Sequence, residues 1–227
     1  MADVASAGRA YLDIVRHYEA CLTEHGSGPR AVDWKSPESA EIRYDVMLGL
    51  LGGERGEVSL LDFGCGLADL HHHILARGLD FISYEGLDIS PAFAAGARAR
   101  HPGVAIHCMD VLDTSAALGR YDYIVMNGVF TRRETLGHEQ MLDYLAALTA
   151  RVFDHARKGM AFNVMSCHAD WYGPALFHPR FDELCAIISK SLSPRFVLRS
   201  DYGLHECTCY VYRQEICDRA RRHRPKP

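Results

Sequence analysis

The chain has 227 residues, enough for one domain with a full core; 48% are apolar and 24% charged, the proportions of an ordinary globular protein. A net charge of −4 leaves no basic surface for nucleic-acid phosphates, and no apolar run reaches the roughly eighteen residues that cross a membrane. With no signal-peptide layout at the start, the expected setting is cytoplasmic, where the 8 scattered cysteines stay reduced and lack metal-ligand spacing.

Residues 1–51 read as a helical cap. Tyr11, Leu12, Ile14, Val15, Tyr18 and Leu22 keep a helical period until Gly26-Ser27-Gly28-Pro29 breaks it. A second helix over 36–51 has a marked start, with Ser36 as N-cap, Pro37 at the first position and Glu38 suited to the dipole. Residues 52–215 then alternate strand and helix patterns, and 216–227 form a basic tail expected to be disordered.

The first strand, Val58–Leu61 and onward, runs into Gly64-Cys65-Gly66, and a helix pattern (Leu70, Ile74, Leu75) follows at once. Strand, glycine turn and helix together describe a nucleotide-type site. A dinucleotide fingerprint needs a third glycine where this chain has Asp69, whose carboxylate repels a pyrophosphate, and no phosphate-cradling P-loop is present. An acidic loop suits a cationic ligand without phosphates instead. A second strand (81–88) ends in Asp88, placed to accept hydrogen bonds from ribose hydroxyls. A third (104–109) ends at Asp110, which with the amide of Val111 can read an adenine; Asp113, three residues on, is the alternative acid. A fourth (121–126) ends at Asn127-Gly128, a fifth at Asn163, and an antiparallel hairpin (196–199 and 208–212) closes the sheet.

The ordered set Asp62-x-Gly64-x-Gly66-x-Ala68, Asp88, Asp110 and the Tyr121-Asp122 strand resembles the motifs of class I S-adenosylmethionine-dependent methyltransferases, over roughly residues 34–213. Trp34-Lys35-Ser36-Pro37-Glu38-Ser39, Asn127–Thr131, Ala161–Ser166 and Arg199–Gly203 resemble a bacterial subgroup acting on small molecules. The resemblance implies an α/β fold: a Rossmann-like, doubly wound, seven-stranded sheet, mostly parallel, with an antiparallel C-terminal hairpin and added N-terminal helices. It also implies S-adenosylmethionine as cofactor and S-adenosylhomocysteine as product. Ala68 departs from the usual glycine, at an expected cost of slightly closer packing.

The cofactor residues expected on this reading are Arg43, Asp62, Gly64, Cys65, Gly66, Asp88, Ile89, Asp110, Val111 and Asn127, with Arg43 implied by the resemblance to face the cofactor carboxylate. Asn127, Asn163 and His168 are the catalytic candidates: amides orient a nucleophile, and an imidazole can serve as base for a hydroxyl, a role for which His178 and His205 are alternatives. Trp34, Lys35, Phe130, Trp171, Tyr172, His178, Tyr202 and His205 are expected around a small-molecule acceptor, with the tryptophans and Tyr172 as an aromatic cage. No metal site is expected; consecutive His71, His72 and His73 point apart on a helix. The expected activity is methyl transfer to oxygen or nitrogen of a metabolite. Rival readings are an enzyme that consumes S-adenosylmethionine to release methylthioadenosine, a non-catalytic S-adenosylmethionine-binding protein, and a nicotinamide dehydrogenase.

Overall fold

A computed structural model describes residues 9–113 and 117–213; the expected basic tail lies outside them. Seven strands form one sheet: β1 (Val58–Phe63), β2 (Ile82–Asp88), β3 (Ile106–Cys108), β4 (Tyr121–Phe130), β5 (Ala156–Met165), β6 (Phe196–Arg199) and β7 (Glu206–Tyr212). Their spatial order is β3-β2-β1-β4-β5-β7-β6. The first five strands pair in parallel, and β7 runs antiparallel to both β5 and β6. This is the Rossmann-like sheet with a closing hairpin that the residue pattern predicts.

Alternation along the strands divides the core into two layers. Leu61, Ile124, Met126, Phe162 and Val164 face α5 (His138–Phe153) and α6 (Phe181–Ser191), which contribute Leu145, Leu148, Leu184 and Ile188. Val58, Leu60, Tyr123, Val125 and Ala161 face the other way. There they meet Met47 of α2 (Pro37–Leu48), Ile74 of α3 (Asp69–Ala76) and Ala97 of α4 (Pro91–Arg100). Both faces of the central strands are therefore covered, which is why β1 reads as a nearly continuous apolar run. Helix α2 starts where predicted: the Ser39 amide donates to Ser36 Oγ at 3.3 Å, and Pro37 takes the first position.

Helix α1 (Leu12–His25) lies on the first of these faces, where only Ile14 is fully buried. The rest of its apolar stripe does not pack into the sheet. It covers the carboxyl ends of β1 and β4, where the strand order reverses and open α/β sheets bind ligands. No helix among the described residues is long and apolar enough to cross a membrane.

Candidate active site

The turn after β1 is built around two oxygen acceptors. Gly64 and Cys65 donate their amides to the Leu87 carbonyl, and Gly66 donates to Asp88 Oδ2 at 2.9 Å. Gly64 sits at φ +73°, and a Cβ there would come within 2.8 Å of Val129, so the turn needs glycine twice over. Ala68 also adopts the left-handed conformation, at φ 59°. Its departure from glycine thus carries backbone strain on the order of 1 kcal/mol, which the sequence did not announce.

Asp88 is 7% exposed; its other oxygen accepts the Ser90 amide at 2.8 Å. Burial pushes its carboxyl up to about 6, opposed by the Ser90 and Gly66 amides. Behind the turn, burial raises Asp62 to about 7; the Tyr84 hydroxyl, donating at 2.8 Å, opposes the rise, and Asp88 and Asp69 add to it. Carboxylates crowded together out of water favour a cationic neighbour.

Above this turn lies a cleft of about 910 Å³, lined mainly by apolar groups from α1 (Ile14, Val15, Tyr18) and by Phe63, Phe93 and Met109. Gly64, Gly66, Asp88, Ile89, Asp110, Val111 and Asn127 of the sequence-derived set all line it. Asp110 is shared: it accepts the Leu112 amide at 3.0 Å and the Tyr11 hydroxyl of the α1 approach at 2.5 Å. Asn127 carries a buried Nδ2 with no hydrogen-bond partner, because its Oδ1 is turned toward Asn163 Nδ2 at 3.3 Å.

Three expected cofactor residues lie elsewhere. Asp62 and Cys65 sit behind the turn and do not line the cleft; burial raises the Cys65 thiol. Arg43 opens instead onto a second cleft of about 1160 Å³, because its guanidinium is captured by Glu206, with Nε 2.9 Å from Oε1 and Nη2 on the same oxygen. Tyr18, Val32 and Trp34 line both clefts and form the neck between them.

The second cleft gathers Trp34, Lys35, Trp171 and His205 of the expected acceptor set. The aromatic faces are already in use: Arg43 Cζ lies 5.0 Å from the Trp34 ring centre, and Lys35 Nζ lies 5.4 Å from that of Trp171. The expected open cage for a cation is therefore not formed. Phe130 is wholly buried in the core. Tyr172 is exposed and bonds to the Cys167 carbonyl. His178 Nδ1 is held by the Ser166 carbonyl at 2.8 Å, and Tyr202 pairs with Thr208 at 2.9 Å. None of these four lines either cleft. His168 is exposed and packs edge-on against Phe181, outside both. Asn163 is buried between the clefts without lining them; its Oδ1 accepts the Gly128 amide at 2.7 Å and its Nδ2 donates to Glu206 Oε2 at 2.7 Å.

Glu206 is the residue that sequence reading passes over. The apolar pattern starts the last strand at residue 208, which leaves position 206 in the turn, whereas β7 begins at Glu206. A charged residue entering an otherwise apolar strand was the available signal.

Comparison with known proteins agrees with this architecture. Residues 61–159 match the family model described as a methyltransferase domain. Magnesium protoporphyrin IX methyltransferase from Synechocystis PCC 6803, with bound S-adenosylhomocysteine, superposes with a TM-score of 0.60 at 13% identity, over 93% of this chain and 100% of that one. An amino pentose methyltransferase from Micromonospora echinaspora, bound to S-adenosylmethionine, gives 0.54 at 19% identity over 86% and 96%. Human N-acetylserotonin methyltransferase, bound to S-adenosylmethionine, gives 0.58 at 11% identity over 79% and 52%. No curated protein matches the chain in sequence.

Proposed function

We propose that this chain, whose residues 61–159 match a methyltransferase domain, is a class I S-adenosylmethionine-dependent enzyme that methylates an oxygen or nitrogen of a small metabolite. The observation that carries the reading is the pair of clefts meeting at Tyr18, Val32 and Trp34, one above the glycine turn and one beyond it. S-adenosylmethionine would supply an electrophilic methyl on a sulfonium whose leaving form is a neutral thioether.

The first cleft fits that molecule. Asp88 offers free lone pairs to a ribose diol beside the two amides it already holds. Asp110 and the Val111 amide suit an adenine edge, and apolar walls suit its faces. The unpartnered Asn127 Nδ2 needs an acceptor, which the amino-acid end of the cofactor provides. The buried Asp62 and Asp88 favour the cationic centre. The second cleft would hold the acceptor, with its nucleophile at the neck, where orientation in line with the methyl supplies much of the acceleration. Asn163 acts as a positioning residue, locking Gly128 and Asn127 on one side and Glu206 on the other. A cytoplasmic setting belongs to the proposal.

Titration calorimetry with S-adenosylhomocysteine tests the assignment of the first cleft. Replacing Asp88 by Ala is expected to cost about 1–3 kcal/mol of binding, the scale of a charge-assisted hydrogen bond. Unchanged affinity would remove Asp88 from the cofactor site.

A further inference from the structure

Resting on the methyl-transfer reading, we infer that Glu206 is a catalytic residue that accepts the acceptor's proton, and that the acceptor is protic, a hydroxyl or an N–H amine. Glu206 is 3% exposed, yet it lines the second cleft. Its Oε1 takes both Arg43 donors, while Oε2 takes only the Asn163 amide. A carboxylate oxygen accepts along two directions, so Oε2 keeps one lone pair for a donor in the cleft. The amide cannot flip away, because Asn163 Oδ1 is committed to the Gly128 amide. Arg43 itself stacks on Trp34, which belongs to the neck. The carboxylate is thereby linked, through Arg43, to a residue of the passage between the clefts.

A structural tie between α2 and β7 would not need a buried ion pair, since apolar pairs of similar volume hold elements together at least as well. The faces of Trp34 and Trp171 are occupied by Arg43 and Lys35, so the cleft is not an aromatic cage for a cationic acceptor; of its two acids, Asp33 and Glu206, only Glu206 is buried and ties to Asn163. In the transfer, the acceptor heteroatom's lone pair forms the bond to the methyl carbon, and the carbon–sulfur pair stays on sulfur. The proton released from the heteroatom passes to Glu206 Oε2 and from there to water. Tertiary amines and thioethers, which carry no proton on the nucleophilic atom, are excluded by this route.

The test incubates wild type, Glu206→Gln, Glu206→Asp and Glu206→Ala with methyl-¹³C-labelled S-adenosylmethionine and a small-metabolite extract. Labelled products are read by mass spectrometry, and S-adenosylhomocysteine affinity by calorimetry. The Gln variant is expected to bind S-adenosylhomocysteine within about twofold of wild type and to lose about 100-fold or more in labelled product, the usual span for a lost base. The Asp variant keeps the charge but shortens its reach; it is expected to fold and bind as wild type while losing about tenfold. Sodium formate should restore product in the Ala variant, a response that loss of a merely structural contact would not show. A Gln or Asp variant that binds and turns over like wild type, or label on a quaternary ammonium or a sulfonium, overturns the inference. Wild type that binds S-adenosylhomocysteine but releases only methylthioadenosine overturns the methyl-transfer reading itself.

Discussion

Asp62 shows how one buried side chain can couple the site to pH. Its carboxyl sits at about 7 in the folded chain, mainly through burial, against roughly 3.9 for an unfolded aspartate. Between those values the folded state holds a proton that the unfolded state has shed, so this group's contribution to stability falls as pH rises through the window. Above it, the fold carries the full cost of a buried carboxylate. An asparagine has no such cost and can still accept from the Tyr84 hydroxyl. The melting temperature of Asp62→Asn, relative to wild type, should therefore climb from pH 4 to pH 7 and then level off. A difference that stays constant with pH would mean Asp62 is not perturbed. The residues around it divide by how local their signals are. Gly64, Gly66 and Asp88 were legible because strand, turn and acid lie close together in the chain. The Arg43–Glu206 pair spans 163 positions, and no local pattern records which arginine meets which acid. Reading Arg43 alone, as a fork for a cofactor carboxylate, missed that the protein supplies its own.

Helix α1 behaves less like a core helix than like a cover. Its period was plain in sequence, but its partner was not: Val15 and Tyr18 face a cleft rather than the sheet. Around it, Tyr11 donates to Asp110 at 2.5 Å, and Glu19 accepts from Ser90 Oγ at 2.5 Å. Asp13 accepts from Thr135 and Tyr18 donates to the Gly128 carbonyl, so α1, with Ile14 as its one fully buried residue, is held mostly by the rim of the cleft. A ligand that fills the cleft gives its apolar face something to pack on. Hydrogen exchange of the Leu12–His25 amides should slow when S-adenosylhomocysteine binds, while α5, already buried against the sheet, changes little. Equal exchange in α1 with and without bound ligand would show that the helix plays no part in closing the cleft. The C-terminal hairpin carries the opposite lesson. Its strands were recognised in sequence, yet setting the start of β7 two residues late hid the acid that the second cleft depends on.

At the scale of the molecule, the doubly wound sheet puts one cleft at the switch point between β1 and β4, and the cap and hairpin wall in a second beside it. The architecture was readable because alternation, glycine turns and strand-end acids repeat along the chain. The second cleft was not, since it is assembled from α2, the segment after β5 and the start of β7, which meet only after folding. The central claim is that a methyl group crosses the neck from one cleft to the other. The most direct measurement is mass spectrometry of the nucleoside released from S-adenosylmethionine, by the protein alone and with a small-metabolite extract. S-adenosylhomocysteine formed only with extract, alongside a methylated metabolite, is the predicted result. Methylthioadenosine formed by the protein alone would contradict it and make S-adenosylmethionine the substrate.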